Sequence, residues 1–300
     1  MNAEQLLDLN RTIADILEVA EADITGLQVL KKGMTNHSFT FQCNAKQYIL
    51  RIPGEGTDYL INREQEYQVY KAIQEEHICD NIIYLNPETG YKITEYMPDI
   101  HNCNPNDWDE VERCMYFLHK FHERKLTVPH EFSLFHQIEF YESLWQGRAS
   151  VYPDYSMVKQ QVFSLKTYID KQDRENVLTH IDAVPDNFLL SEDSIALIDW
   201  EYAGMQDPHV DIAMFAVYSF YDREQIDRLI DLYFANHCTK AVRLKIYCYV
   251  AVAGLLWSNW CEYKHQQGVE FGAYSVRQYQ YAKEFYQIFR KIRDGEEADV

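Results

Sequence analysis

Apolar residues recur at helical spacing over residues 4–20, where Leu6, Leu7, Leu9, Ile13, Ile16, Leu17 and Ala20 form one stripe. The period then shortens. Ile24–Leu30 alternates as a strand does, Gly33-Met34-Thr35-Asn36 reads as a turn, and Ser38–Cys43 reads as the returning strand. Gln47–Ile52 is a third strand, closed by Pro53-Gly54-Glu55-Gly56. Asn62 caps a helix expected to run to about Glu76, and Ile82–Leu85 and Tyr91–Tyr96 are two more short strands about a turn at Pro87–Gly90. After Met97-Pro98 the helical period dominates, over 107–124, roughly 137–148 and 155–171, and then about 210–220, 223–236, 240–264 and 274–293. A β-type interlude at Val177–Trp200 interrupts it. The order predicts an α+β fold: a small N-terminal antiparallel sheet with one helix (residues 1–96) and a large, mainly helical C-terminal lobe (97–300).

Composition narrows the functional classes. The chain has 300 residues, 47% of them hydrophobic, enough for a sizeable core. Its formal charge of −19 repels nucleic-acid phosphates and anionic membranes, so neither is expected as a partner. The seven cysteines form no C-x-x-C pair, which reads as reduced, buried thiols. The N-terminus lacks a basic region followed by an apolar one, and the apolar run Tyr247–Trp257 is too short to span a bilayer. The expectation is a cytoplasmic protein without stable membrane insertion; no oligomeric state is assigned.

The chemistry concentrates in Thr179-His180-Ile181-Asp182-Ala183-Val184-Pro185-Asp186-Asn187-Phe188, followed by Ile195-Ala196-Leu197-Ile198-Asp199-Trp200-Glu201. Asp182 lies in a loop after a short apolar strand, and Asn187 opens the next strand five residues later. Asp199 ends a third strand across a hairpin turn at Ser191–Ser194. Phosphoryl transfer needs such a set. One carboxylate orients the acceptor hydroxyl and takes its proton, while an amide oxygen and a second carboxylate hold Mg²⁺, a hard cation that prefers oxygen. A lone D-x-x-x-x-N is more often a capped hairpin; the H-x-D-x-x-x-x-N run with its strand and terminal Asp, in order, is not. His119 and His122, with Cys114 one turn earlier, read as helix packing and not as a zinc site.

The run HIDAVPDNFLL…IALIDWEYAGMQDPHVDIA resembles the core of the choline/ethanolamine kinases and the related aminoglycoside phosphotransferases. The resemblance spans Gly33 to about Tyr281 and implies a protein-kinase-like two-lobe fold using ATP and Mg²⁺. It implies that Asp182 is the catalytic base, that Asn187 and Asp199 are the metal ligands, and that His180 fixes the loop. Asp211 would brace that loop. Ile181 departs from the Asn or Gly usual in the family, and its side chain is expected to face away. Gly33, Thr35, Asn36 and Ser38 would cover the phosphates. Arg51 stands where many kinase-like enzymes have lysine, with Glu66 as its partner and Glu64 as the rival. Glu95 and Met97 lie in the hinge, which would present backbone groups to adenine.

A quaternary ammonium is held by aromatic faces and nearby negative charge. Trp257 and Trp260 share a helix face, Phe271 and Tyr274 follow, and the candidate anions are Asp182, Glu201 or another group. By the same resemblance Trp257 aligns with one pocket tryptophan, while the other falls on Gly254, with Trp260 a substitute one turn on. Tyr218 stands where animal enzymes of the family have an acid. The expected partner is a small cationic alcohol such as choline. Ethanolamine, thiamine and an aminoglycoside remain alternatives, as does a pseudokinase-like binding module.

Overall fold

The computed structural model describes residues 3–32, 36–54, 57 and 59–295. In chain order the elements are α1 (Ala3–Leu17), β1 (Ile24–Lys32), β2 (Asn36–Cys43), β3 (Lys46–Pro53), α2 (Arg63–Ile73), β4 (Ile82–Leu85), β5 (Lys92–Glu95), β6 (His101–Asn102), α3 (Trp108–Glu123), α4 (Leu134–Ser143), α5 (Tyr155–Ser164) and α6 (Lys166–Ile169). They continue with β7 (Val177–Thr179), β8 (Phe188–Leu190), β9 (Ile195–Leu197), β10 (Gly204–Gln206), α7 (His209–Tyr218), α8 (Arg223–Tyr233), α9 (Lys240–His265) and α10 (Ala273–Arg293). Two compact units result: Met1–His101 with Leu189–Tyr202, and Asn102–Phe188 with Ala203–Val300. The chain thus returns to the first unit at Leu189–Tyr202. The returning segment belongs to the first unit because the Leu197 N–H donates to the Ile78 carbonyl at 2.8 Å and because Asp199 and Glu201 pair with arginines of that unit.

The first unit is an antiparallel five-stranded sheet in the order β1-β2-β3-β5-β4. Its core gathers Leu9 and Ile13 of α1 with Phe39, Phe41, Leu50 and Ile93 of the strands. The β2–β3 hairpin turns on Asn44-Ala45, both with positive φ (49° and 61°), the two-residue geometry that matches strand twist. On α2, Asn62 caps the Gln65 N–H at 3.1 Å as expected. The buried face is Glu66, Val69, Tyr70 and Ile73, and Glu64 is exposed. That settles the choice between the two glutamates.

In the second unit β7 pairs with β10, and the helices fall within a few residues of the periodicity reading. At its centre lies α9, with twenty of 26 residues buried against α4, α5, α6, α7 and α10. By length and composition α9 could cross a membrane, unlike the shorter apolar run seen in the sequence, but its apolar stretch is buried inside the protein. At Gly254, α9 packs closely on α10. A Cβ there would lie 2.6 Å from the Gln278 carbonyl oxygen and 2.9 Å from the Ala282 nitrogen. A side chain at this position requires the α10 backbone to shift.

Candidate active site

In the first unit the strand register sets Arg51 opposite Ser38 on one side and Lys92 on the other. Arg51 is buried and forked: Nη2 meets Glu66 Oε1 at 2.5 Å, while Nη1 meets Asp199 Oδ1 at 3.3 Å and Glu201 Oε2 at 3.9 Å. A second arginine closes the ring. Arg63 Nη1 pairs with Glu66 Oε2 at 2.7 Å and with Glu201 Oε2 at 3.1 Å, and its Nη2 donates to Asn36 Oδ1 at 3.0 Å. Asn36 in turn donates to Glu201 Oε2 at 2.8 Å.

The sequence reading missed Arg63. Its only local signal is a position three residues before Glu66 on a helix. Two residues named from sequence as ligand contacts sit in this ring. The Glu201 side chain is 3% exposed and is held by Arg63 and Asn36. Asn36 has both ends of its amide in the ring. Gly33 and Thr35 lie outside the described residues.

Electrostatics follow from the packing. Burial works against the Arg51 charge, but Glu66, Tyr70, Asp199 and Glu201 outweigh it and hold the guanidinium above its ordinary value. Burial likewise opposes the Glu66 carboxylate, yet Arg51, Arg63 and Lys92 keep its carboxyl below the usual range. Glu201 is pushed up to about 7, first by burial and then by the Asp199 charge, against the pull of both arginines. Three carboxylates thus face two guanidiniums. The Asp199 side chain is 34% exposed, against 0% for Glu66 and 3% for Glu201, so it is the one open to solvent. Glu95 binds Lys46 at 3.0 Å and Asn81 at 2.8 Å, and half-buried Met97 follows.

In the second unit a single buried carboxylate organises the loop after β7. Asp211 Oδ1 accepts the Ile181 N–H at 2.7 Å, and Oδ2 accepts the His180 N–H at 3.0 Å. The Asp211 Oδ2 also meets His122 Nε2 at 3.0 Å, and the other nitrogen of that ring meets the Tyr233 hydroxyl at 2.8 Å. His122 is therefore part of the brace. Among the described residues no group of three or more His, Cys, Asp or Glu surrounds a common metal position. Ile181 sits at φ +72° with its side chain fully buried. A β-branched residue rarely adopts that conformation, whereas Asn and Gly accept it. His180 is likewise fully buried beside the loop.

The loop then delivers Asp182, half-buried, to Asn187. The Asn187 amide nitrogen donates to the Asp182 carbonyl at 2.9 Å and to its carboxylate at 3.2 Å. The Asn187 oxygen is thereby the end turned away from Asp182. An oriented amide oxygen of this kind is the type of ligand that a hard cation prefers.

The four aromatic residues named from sequence come together on the same unit. Trp257 and Trp260 meet edge to face at 5.8 Å, Trp260 meets Phe271 at 5.2 Å, and Phe271 meets Tyr274 at 6.3 Å. The chain of rings extends to Phe220 and Tyr218, 5.8 and 6.1 Å from Tyr274. Burial, then Cys261 and Asp182, raise the Tyr274 hydroxyl well above its ordinary value, and Tyr218, beside this ring, donates to Asp186 of the loop at 2.6 Å.

Comparison with known proteins agrees with this arrangement. A sequence profile described as choline/ethanolamine kinase matches residues 27–231. The protein LicA of Haemophilus influenzae is 27% identical over 261 residues, covering 82% of this chain and 75% of that protein. The crystal structure of choline kinase LicA from Streptococcus pneumoniae superposes with a TM-score of 0.82 at 27% identity, covering 95% of this chain and 100% of the other. A structure of LicA in complex with AMP gives 0.78 at 28% identity, with 93% and 98% covered. The aminoglycoside phosphotransferase APH(4)-Ia shares the fold at 13% identity, with a TM-score of 0.62 and coverage of 93% of this chain and 97% of the other. The protein-kinase-like α+β fold expected from sequence is the one found, and the chain belongs to the choline/ethanolamine kinase family of ATP-using small-molecule phosphotransferases.

Proposed function

We propose that the protein transfers the γ-phosphoryl group of ATP to the hydroxyl of choline, giving phosphocholine and ADP, in the cytoplasm. The observation that carries this reading is the run of rings from Trp257 to Tyr274 beside the loop that bears Asp182 and Asn187. Aromatic faces suit a quaternary ammonium, which has no N–H to donate, whereas an aminoglycoside asks for carboxylates and hydrogen-bond acceptors. The likeness to a choline kinase of known structure points the same way.

Asp182 orients the hydroxyl and accepts its proton as the oxygen attacks phosphorus. The bond to the bridging oxygen of ADP then breaks and the leaving charge stays on ADP. Asn187 and Asp199 would hold Mg²⁺, which when bound neutralises phosphate charge. Asn187 also fixes Asp182 through its amide nitrogen, and Asp211 holds the backbone on which Asp182 rides. Arg51, kept in place by Glu66, directs its guanidinium to the phosphates. The segment of Gly33, Thr35 and Ser38 covers the phosphates, and the hinge at Glu95 and Met97 receives adenine.

ADP release measured against choline, ethanolamine, thiamine and a kanamycin-type aminoglycoside tests the acceptor. Choline is expected to give the highest kcat/KM. Asp182→Ala is expected to lose turnover while folding and binding nucleotide; near-normal turnover by this variant would remove Asp182 from the role of base.

A further inference from the structure

A cationic head group bound by ring faces also gains from a nearby anion. The carboxylates near the aromatic chain are mostly committed elsewhere. Glu262 accepts from Ser150 Oγ at 2.6 Å and from the Val151 N–H at 3.1 Å. Asp154 is held by the Tyr279 hydroxyl at 2.8 Å and Lys283 at 2.5 Å. Glu142 pairs with Lys159, while Glu270, whose side chain is 79% exposed to water, meets His265 at 3.3 Å. Asp211 is spent on the loop backbone, and Asp182 must meet the hydroxyl.

Asp186 is different. It is exposed, yet it is fixed at both ends: its carbonyl accepts from Asn102 Nδ2 at 2.5 Å, and its Oδ2 accepts the Tyr218 hydroxyl at 2.6 Å. The Tyr218 ring meets Tyr274, the last of the four expected aromatic residues, at 6.1 Å. Tyr218 thus ties a solvent-facing carboxylate to the end of the ring chain. Its own hydroxyl is raised by burial and then by Asp186, so it stays protonated and keeps donating.

We propose that Asp186, held by Tyr218, is the specificity-determining anion that selects a positively charged amino-alcohol head group. The inference rests on the acceptor reading above and assigns its charge selection to one carboxylate. Asp186 does not touch the reacting atoms. Its contribution is Coulombic, so it acts on KM for a cation and not on a neutral alcohol of the same shape.

The test compares choline with 3,3-dimethylbutan-1-ol, its uncharged carbon isostere, in the unaltered protein and in Asp186→Asn. The amide keeps an acceptor for Tyr218, so the fold is retained. The expected result is a KM for choline raised about tenfold with kcat within about twofold, and a KM for the neutral alcohol changed by less than about twofold. Asp186→Glu recovers part of the choline KM, and Tyr218→Phe raises it about threefold by freeing the carboxylate. Equal losses on both alcohols, or a changed Mg²⁺ requirement, would show that Asp186 acts through Asn187 and would overturn the inference. So would an unchanged choline KM. If the unaltered enzyme phosphorylates neither alcohol, the acceptor reading itself fails and takes this inference with it.

Discussion

Replacing Asp211 by Asn tests the brace of the catalytic loop with almost no change of volume. The carboxylate is fully buried and accepts three hydrogen bonds, from the Ile181 N–H at 2.7 Å, the His180 N–H at 3.0 Å and His122 Nε2 at 3.0 Å. An amide offers one oxygen. Its NH₂ must therefore face at least one N–H that now has no acceptor. A hydrogen bond to a charged group contributes about 1.5–3 kcal/mol, and a buried unsatisfied donor costs about 1–3 kcal/mol. The sum is a loss of about 3–5 kcal/mol, large against the 5–15 kcal/mol typical of a domain.

Activity should fall as well. Ile181 holds a left-handed conformation that costs about 1–2 kcal/mol, and Asp211 is what keeps it there. Released, it relaxes to extended backbone and turns Asp182, the next residue. Urea unfolding measures the stability loss, and kcat at a temperature where the variant is folded measures the second effect. A stability change under about 1 kcal/mol with kcat unaltered would refute the reasoning.

Three further outcomes are expected. Gly254→Ala should destabilise the protein by about 1–3 kcal/mol in urea unfolding, because its Cβ would strike the Gln278 and Ala282 backbone. Glu66→Gln should cost about 3 kcal/mol and raise KM for ATP more than KM for the acceptor, since Arg51 and Arg63 lose a shared buried counter-charge. The His209 ring is lowered from 6.5 to about 4, by burial first, with Asp207 opposing and Lys245 and His122 adding. Because the folded value lies below the unfolded one, its stability contribution is complete above pH 6.5 and is lost as pH falls toward about 4, by about 3 kcal/mol in all. His209→Gln should flatten the urea midpoint between those pH values.

Legibility in the sequence tracked how local each feature is. The Asp182–Asn187 loop was readable because its residues lie five apart and are bounded by apolar strands. Glu66 could be preferred over Glu64 because helical spacing puts only one of them on the packed face, as the burial of α2 bears out. The ring around Arg51 was not readable. Asn36 reaches Glu201 across 165 residues and Arg63 reaches it across 138, and no periodic pattern encodes such pairs. Sequence gives no sign that Glu201 and Asn36 hydrogen-bond to each other and to Arg63. Ile181 shows the reverse case: a mismatch of residue type turned out to mark a backbone constraint.

The crowding of α9 bears on how acceptor preference can drift over evolutionary time. Trp257 and Trp260 are rooted in a helix whose neighbours leave no slack, Gly254 being the extreme. Substitutions along that helix incur a folding penalty before any new substrate is gained. The stretch 266–272 and the first turn of α10, where exposed positions alternate with Phe271 and Tyr274, carry no such penalty. Divergence among relatives that act on different alcohols should therefore accumulate there, around a tryptophan pair that stays put.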